Sequence, residues 1–308
     1  MTDTVSPDLG LLLASAAPSH RPAWRTILLA IDGSPACDSA VSVARELAVH
    51  TGAALTAIVV CGLPTMIHDS SAPVFDELTE STDGADRAAA VAHQLDRLLD
   101  GVGCPIAVHR GDVTAEVVLH ARAVRADLIV VGRGRQDLIT RIRGEGHVMQ
   151  LVRAAPCPVL AVAAGHPRPK RVVIGVDFSP RSADVVHAAM RVAADGASFY
   201  LLHVKPDPPF GLPHPGRWLQ SYDAGVRAGL ERLVREMAFP ASCTSEAIVV
   251  HGHPGEAILK LARTAEADLI AVGRQGASVI DRILVGSVTT RLVHSAPCSL
   301  LVVPGAGR

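Results

Sequence analysis

Short, unbroken runs of apolar residues recur along the chain and alternate with longer stretches whose apolar residues have helical spacing. A run of about 4–8 apolar residues between turn residues predicts a strand that is buried on both faces, as in a parallel sheet. The first half of the chain shows the same order of runs as the second half. In the second half the predicted strands are residues 171–177, 198–204, 247–250, 269–272 and 300–303.

The stretches between these runs predict helices. Ser179 and Pro180 are expected to be the N-cap and the first residue of one helix, since serine suits an N-cap and proline suits the first helical position. Further helices are predicted at residues 218–238 and 255–265 and after Gly286. Strands that alternate with helices predict a parallel, doubly wound α/β sheet.

Three motifs occur twice in the same order, the second time about 141–145 residues after the first. They are an Asp that ends an apolar run and is followed by one residue and Ser-Pro, an Ala-Asp-Leu-Ile segment, and an Ala-Pro-Cys segment. This repetition predicts two copies of one domain. The pairs are Asp32 and Asp177, residues 126–129 and 267–270, and residues 155–157 and 296–298.

The repeat also sets the predicted domain boundaries. We expect two tandem Rossmann-like domains, each a five-stranded parallel sheet flanked by helices. A length of 308 residues suits two domains. The predicted segments are a flexible tail at residues 1–23, a first domain at 24–164, a linker at 165–170 and a second domain at 171–305.

Composition narrows the function. Hydrophobic residues make up 49% of the chain and aromatic residues only 3%, so Val, Leu, Ile and Ala must form the cores. The formal net charge of −1 argues against nucleic acid or a membrane surface as a partner, because both attract basic proteins.

The six cysteines show no CxxC spacing, which predicts reduced thiols in a cytoplasmic protein. Cys157 and Cys298 stand at matched apolar positions, so we expect them to be small core residues rather than redox sensors. Neither the cysteines nor the 14 histidines have zinc-finger spacing, so no metal site is expected.

A glycine-rich segment in the second copy predicts an anion site. Gly273 and Gly276 follow the fourth strand, and Gly286 and Ser287 open the last helix. Glycine lets the backbone approach a ligand closely, and the amides of a helix N-terminus attract anions. The hydroxyls of Ser287 and Thr289 are expected to add donors. The spacing is neither that of a Walker A loop nor that of the GxGxxG fingerprint.

Asp177 ends the first strand of the same copy. If the first and fourth strands are neighbours, Asp177 and the glycines line one crevice, because ligands of open α/β sheets bind beyond the carboxyl ends of the strands. A nucleotide would then place its phosphates on the glycines and its ribose or base near Asp177. The alternative is that the glycines are ordinary turn residues.

The pattern Gly-x-x-Gly, nine residues, Gly-Ser, with Asp-Leu-Ile before it and Ala-Pro-Cys after it, resembles the universal stress protein family. The resemblance covers about residues 24–305. It implies ATP binding in the copy that keeps the motif, and pairing of domains through their fifth strands. It implies Asp177, Val204 and Val272 as neighbours of adenine and ribose, and Gly273, Gly276, Gly286, Ser287, Val288 and Thr289 as contacts of ribose and phosphates.

The first copy departs from this motif at three positions. A side chain in place of the second glycine would obstruct the backbone's approach, and a carboxylate at the helix start would repel phosphate. We therefore expect one ATP per chain, in the second copy. Binding of a different anion by arginines of the first copy is an open alternative. The replacements are Arg135 for Gly276, Glu145 for Gly286 and Gly146 for Ser287, and the arginines are Arg133, Arg135, Arg141 and Arg143.

No general base stands out near the phosphate segment, since Asp281 is expected to be a surface charge and His294 a packing residue. We expect no catalytic residue, and a nucleotide-dependent regulator of the stress response that binds ATP with little or no hydrolysis. Any Mg²⁺ would be held mainly by the phosphates. A homodimer through strand pairing and an unidentified protein partner are also expected. A slow ATPase or phosphotransferase, and a nucleotide-free scaffold for protein partners, stay open as alternatives.

Overall fold

A computed structural model describes residues 24–33, 37–61, 80–133, 146–165, 168–179, 181–205, 215–275 and 285–305. The predicted tail at residues 1–23 lies outside these ranges. In the first half the elements are β1 (Thr26–Ala30), α1 (Asp38–Thr51), β2 (Ala54–Cys61), α2 (Glu80–Leu99), β3 (Ile106–Arg110), α3 (Val113–Ala123), β4 (Leu128–Arg133), α4 (His147–Ala154) and β5 (Val159–Ala163). In the second half they are β6 (Arg171–Gly175), α5 (Ser182–Val192), β7 (Ser198–Lys205), α6 (Pro215–Glu236), β8 (Thr244–His251), α7 (Pro254–Thr264), β9 (Leu269–Gly273), α8 (Ser287–Ser295) and β10 (Ser299–Val303).

The same strand order occurs in both halves. In the first half it is β3-β2-β1-β4-β5, and in the second half it is β8-β7-β6-β9-β10. All neighbouring strands within a half are parallel. The prediction of two tandem α/β domains with five-stranded parallel sheets is therefore confirmed. The chain divides into two compact units between Pro167 and Arg168.

The helices follow from this strand order. The chain moves outward in one direction from the first strand and then crosses to the fourth strand, and right-handed crossovers therefore put the helices on both faces. In the first half α1 packs against α2, and α3 packs against α4. In the second half α5 packs against β6, β9 and β10, while α7 packs against α8. Among the described helices, none is long and apolar enough to cross a membrane.

The middle residues of the central strands are buried, as their unbroken apolar runs predict. Ile27, Leu29 and Ile174 have no exposed surface. Cys157 and Cys298 are also buried, at 8% and 1% exposure, so their predicted role as small core residues is confirmed. Burial, helped by the charge of Asp127, raises the pKa of Cys157 to about 12. At neutral pH this thiol is protonated.

On either side of Asp177, two boundaries differ from their predictions. The first strand ends at Gly175 rather than at residue 177, and the next helix begins at Ser182. Ser179 is therefore not the N-cap. Arg181 holds that position, without a side-chain capping bond. Pro180 lies outside the described residues. The chain bends here because the amide of Ser182 donates to the carbonyl of Ser179, at 2.9 Å.

The aspartate of the repeated Ala-Asp-Leu-Ile motif joins the start of the first strand of each half to the start of the fourth. Asp127 Oδ2 accepts the amides of Arg25 and Thr26, at 2.8 and 3.1 Å. Asp268 Oδ2 accepts those of Lys170 and Arg171, at 3.0 and 2.9 Å. One carboxylate thus fixes two amides at an equivalent place in both halves.

We expect Asp268→Ala to lower the free energy of unfolding by about 1–3 kcal/mol, because both amides lose a charged acceptor. Asp268→Asn keeps an acceptor oxygen and is expected to cost less. Urea denaturation of the two variants measures the difference. Equal stability of Asp268→Ala and the unaltered protein would contradict this role.

Candidate functional site

The floor of the candidate site is the point where β6 and β9 lie side by side. Ile174 is opposite Ala271 in this pair, so the carboxyl ends of the two strands reach the same edge of the sheet. This arrangement meets the condition under which the sequence predicted a shared crevice. A Cβ on Gly175 would lie 3.1 Å from Val272 Cγ1 and 3.2 Å from Ile258 Cδ1. The absence of a side chain therefore lets Val272 and Ile258 pack against the backbone at this edge.

A cleft of about 550 Å³ opens at this place. Its volume lies within the range of about 300–1,000 Å³ that is typical of small-molecule sites. Gly276, the ninth residue predicted for the site, lies outside the described residues. The other eight all line the cleft, namely Asp177, Val204, Val272, Gly273, Gly286, Ser287, Val288 and Thr289.

Helix α8 presents its N-terminus to the cleft. Gly286 is its N-cap, with φ −62° and ψ 150°, and donates its own amide to the carbonyl of Arg274 at 2.9 Å. By helix geometry, the amides of the next three residues have no acceptor within the helix. Ser287, Val288 and Thr289 therefore supply donors and the positive end of the helix dipole.

The hydroxyl of Thr289 does not serve as a free donor. Its Oγ1 donates to the carbonyl of Gly273 at 2.8 Å, and the residue is only 2% exposed. The expectation that this hydroxyl binds phosphate is therefore wrong, because its proton is already used. Thr289 instead ties the start of α8 to the end of β9. Ser287 remains as an exposed hydroxyl at the mouth of the helix.

The carboxylate of Asp177 is held in place by the turn that follows it. Its Oδ1 accepts the amide of Ser179 at 3.0 Å and the hydroxyl of Ser182 at 2.9 Å. This fixes the side chain at the edge of the cleft. Asp177 thus shapes the turn in addition to facing the cleft.

His203 is a buried cleft residue next to Val204, and the sequence did not assign it to the site. Its Nδ1 lies 2.8 Å from the carbonyl of Val176 and its Nε2 lies 3.2 Å from the hydroxyl of Tyr222. A carbonyl only accepts, so Nδ1 carries the proton, and in the neutral ring Nε2 accepts from Tyr222. Burial lowers the pKa of His203 below its ordinary 6.5, although the bond to Val176 and the charge of Asp177 oppose this shift.

This shift predicts a pH dependence of stability. The unfolded chain protonates His203 near pH 6.5, while the folded protein does so only at lower pH. The contribution of a neutral His203 is therefore complete above pH 6.5 and is lost as the pH falls through the window below it. We expect the free energy of unfolding to fall more steeply with acidification in the unaltered protein than in His203→Gln. Denaturation at several pH values measures both slopes, and parallel slopes would contradict the assignment.

The comparison with known proteins agrees with this architecture. The model of the universal stress protein family matches residues 23–163 and 169–304. The chain belongs to the universal stress protein family.

Individual members of the family match one copy or both. Universal stress protein Rv1996 of Mycobacterium tuberculosis is 27% identical over 308 residues, which covers 90% of this chain and 94% of that protein. Universal stress protein MJ0531 of Methanocaldococcus jannaschii is 33% identical over 138 residues, which is 44% of this chain and 81% of that protein. The crystal structure of a universal stress protein from Archaeoglobus fulgidus is 18% identical with a TM-score of 0.65, covering 91% of this chain and 96% of that one. This structural similarity shows that the two proteins share the same fold.

In this universal stress protein, the first copy aligns with the second in a different register from the predicted one. Gly146 is the N-cap of α4 with φ −59° and ψ 150°, almost the dihedral angles of Gly286. Gly146 therefore corresponds to Gly286, and His147 corresponds to Ser287. The alignment of Glu145 with Gly286 and of Gly146 with Ser287 is wrong by one residue. Counting back from the shared Ala-Pro-Cys motif gives the wrong register, because α8 has nine residues and α4 has eight.

This correction removes one argument against a site in the first copy. Glu145 and Arg135 both lie outside the described residues, so the structure places neither of them. Met149, which is 1% exposed, stands where Thr289 stands in the second copy. The first copy therefore keeps the glycine at the helix start but lacks the hydroxyl that ties this helix to the fourth strand.

Proposed function

We propose that the second copy binds ATP in the cleft between the ends of β6 and β9 and the start of α8, and that the protein is a nucleotide-dependent regulator of the stress response. One observation carries this proposal: eight residues chosen from the sequence motif line a single cleft. Membership of the universal stress protein family supports it, because the motif is the one that implies ATP binding in that family.

The residues that line the cleft offer two kinds of chemistry. Val176, Leu202, Val204 and Ile258 give one part an apolar lining that suits a flat base. The start of α8 gives another part backbone amides, the environment in which proteins hold phosphate. An adenine nucleotide has an apolar face and an anionic tail, so its two ends match these two linings.

The described residues of the cleft favour binding over hydrolysis. Asp177 is the one carboxylate among the residues that line it, and its Oδ1 already accepts two hydrogen bonds. His203 is neutral and engaged at both ring nitrogens. A general base must lie within hydrogen-bond reach of the water that it activates, and the family resemblance implies that Asp177 lies beside the base and ribose rather than the phosphates. We therefore propose little or no turnover, with any Mg²⁺ held mainly by the phosphates.

ATP would act by favouring one conformation or assembly, since a ligand shifts an equilibrium only through its different affinities for the two states. The homodimer, the protein partner, the cytoplasmic location and the linker at residues 165–170 stay predictions from the sequence. Size-exclusion chromatography with and without ATP tests the assembly.

The proposal predicts that the protein carries about one ATP per chain. Denaturing freshly purified protein and identifying the released nucleotide by mass spectrometry tests the ligand, and equilibrium dialysis with labelled ATP tests the stoichiometry. Absence of ATP binding in both experiments would contradict the proposal and favour a nucleotide-free scaffold. Two equivalent sites would show that the first copy binds ATP as well. Sustained release of ADP would favour the slow ATPase.

A further inference from the structure

Arg181 lines the cleft but belongs to no motif that the sequence singled out. It stands between β6 and α5, four residues after Asp177. Its Nη1 donates to Gln275 Oε1 at 3.0 Å, and Gln275 is only 4% exposed. The guanidinium is thereby joined to the segment that follows β9, the same strand whose end carries Gly273.

The guanidinium also lies close to Gly305. A Cβ on Gly305 would lie 2.8 Å from Arg181 Cζ and 2.9 Å from Arg181 Nε. The guanidinium thus lies close to the backbone of the segment after β10, in the space that a side chain at residue 305 would occupy. Arg181 therefore lies beside the segments that follow β9 and β10. The segment after β9 also contacts the N-cap of α8, because Gly286 donates its amide to the carbonyl of Arg274.

A second arginine adds positive charge beside the first. Arg274 is half-buried, and its pKa is lowered by burial and by the nearby charge of Arg181. Two cations that repel each other in this way gain when an anion binds between or beside them. A ligand with more negative charge at this end gains more than a ligand with less.

We propose that Arg181 binds the outermost phosphate of a nucleoside triphosphate and gives the cleft a preference for ATP over ADP and AMP. This inference rests on the proposed function, and it names which part of the nucleotide the cleft distinguishes. Guanidinium groups suit this task because they stay charged and offer several donors to phosphate oxygens. The fold itself does not require an arginine here, since Ala36 holds the same place after Asp32 in the first copy.

Binding of ATP, ADP and AMP to Arg181→Ala and to the unaltered full-length protein tests this role by isothermal titration calorimetry at one ionic strength. We expect the unaltered protein to prefer ATP over AMP by about tenfold or more, and Arg181→Ala to lose about tenfold in ATP affinity but less than about threefold in AMP affinity. Arg181→Lys keeps the charge and is expected to keep part of the preference. The matched control is Arg291→Ala, because Arg291 is an exposed residue of α8 that pairs with Glu256 and does not line the cleft.

The outcomes separate this inference from the proposed function. Equal losses for ATP and AMP in Arg181→Ala would overturn the inference, as would no loss at all, while ATP binding by the unaltered protein would still support the proposed function. Absence of any nucleotide binding by the unaltered protein would contradict both the inference and the proposed function. If Arg181→Ala does not fold, Arg181→Gln carries the same test, because it keeps polarity and removes the charge.

Discussion

Gly286→Asp is expected to lower the affinity for ATP by at least about 100-fold while the fold keeps its stability. Aspartate is among the preferred N-cap residues, so the helix start itself gains a capping side chain. The same carboxylate accepts amides that a phosphate would otherwise use, and it places negative charge at the site of the phosphates. Two like charges about 4 Å apart repel by about 4 kcal/mol at an effective dielectric constant of 20. That repulsion alone exceeds what a 100-fold loss requires, about 2.7 kcal/mol.

Two matched variants test whether the loss of ATP affinity depends on the negative charge and on its place in the second copy. Gly286→Asn also caps the helix but carries no charge, so it is expected to bind ATP much more tightly than Gly286→Asp. Gly146→Asp makes the same change at the corresponding N-cap of the first copy. If the second copy holds the one site, Gly146→Asp leaves ATP affinity and stoichiometry unchanged. Calorimetric titration and thermal denaturation give both quantities, and unchanged ATP binding in Gly286→Asp would refute the assignment of α8.

Phe178→Ala is expected to lower the free energy of unfolding by about 3–5 kcal/mol, the usual cost of removing a buried aromatic ring. Phe178 is 3% exposed, and its ring centroid lies 4.7 Å from that of His203. Its backbone has φ +57°, a left-handed conformation that L residues rarely adopt. Burial of the ring must therefore offset a backbone cost of about 1–2 kcal/mol.

The backbone conformation reverses the usual order of alanine and glycine at this position. Gly33 stands at the corresponding place in the first copy, with φ +81°. Phe178→Gly loses the ring but relieves the backbone, so we expect it to be about 1 kcal/mol more stable than Phe178→Ala. Urea denaturation of the two variants decides the point. A less stable Phe178→Gly would mean that the backbone at this residue is not strained.

The fold could be predicted from local patterns because parallel strands covered on both faces need unbroken apolar runs, and the repeat doubled that signal. Asp127 and Asp268 also stand out in the sequence, and the structure supplies the reason, since each accepts two amides at the start of the first strand. Less local features were mispredicted. The helix after β6 begins later than Ser179 because Asp177 and Ser182 first close a turn.

The residues of the candidate site also divide into those that local sequence patterns predicted and those that they did not. The glycines and Asp177 were visible because backbone approach and strand ends leave residue-type signals. Arg181 and His203 were not, because their positions depend on partners about 94 and 27 residues away in the chain, Gln275 and Val176.

The sequence alone determined that this chain contains two copies of one α/β domain and that the second copy carries a glycine motif of the universal stress protein type. Those properties depend on spacing along the chain, which can be read directly from a sequence. Only the tertiary structure decided that Gly146 corresponds to Gly286, that the hydroxyl of Thr289 is used by Gly273, and that Arg181 lies in the cleft. A one-residue difference in helix length, a hydrogen bond and a side-chain direction are set by packing in three dimensions, and spacing along the chain does not encode them.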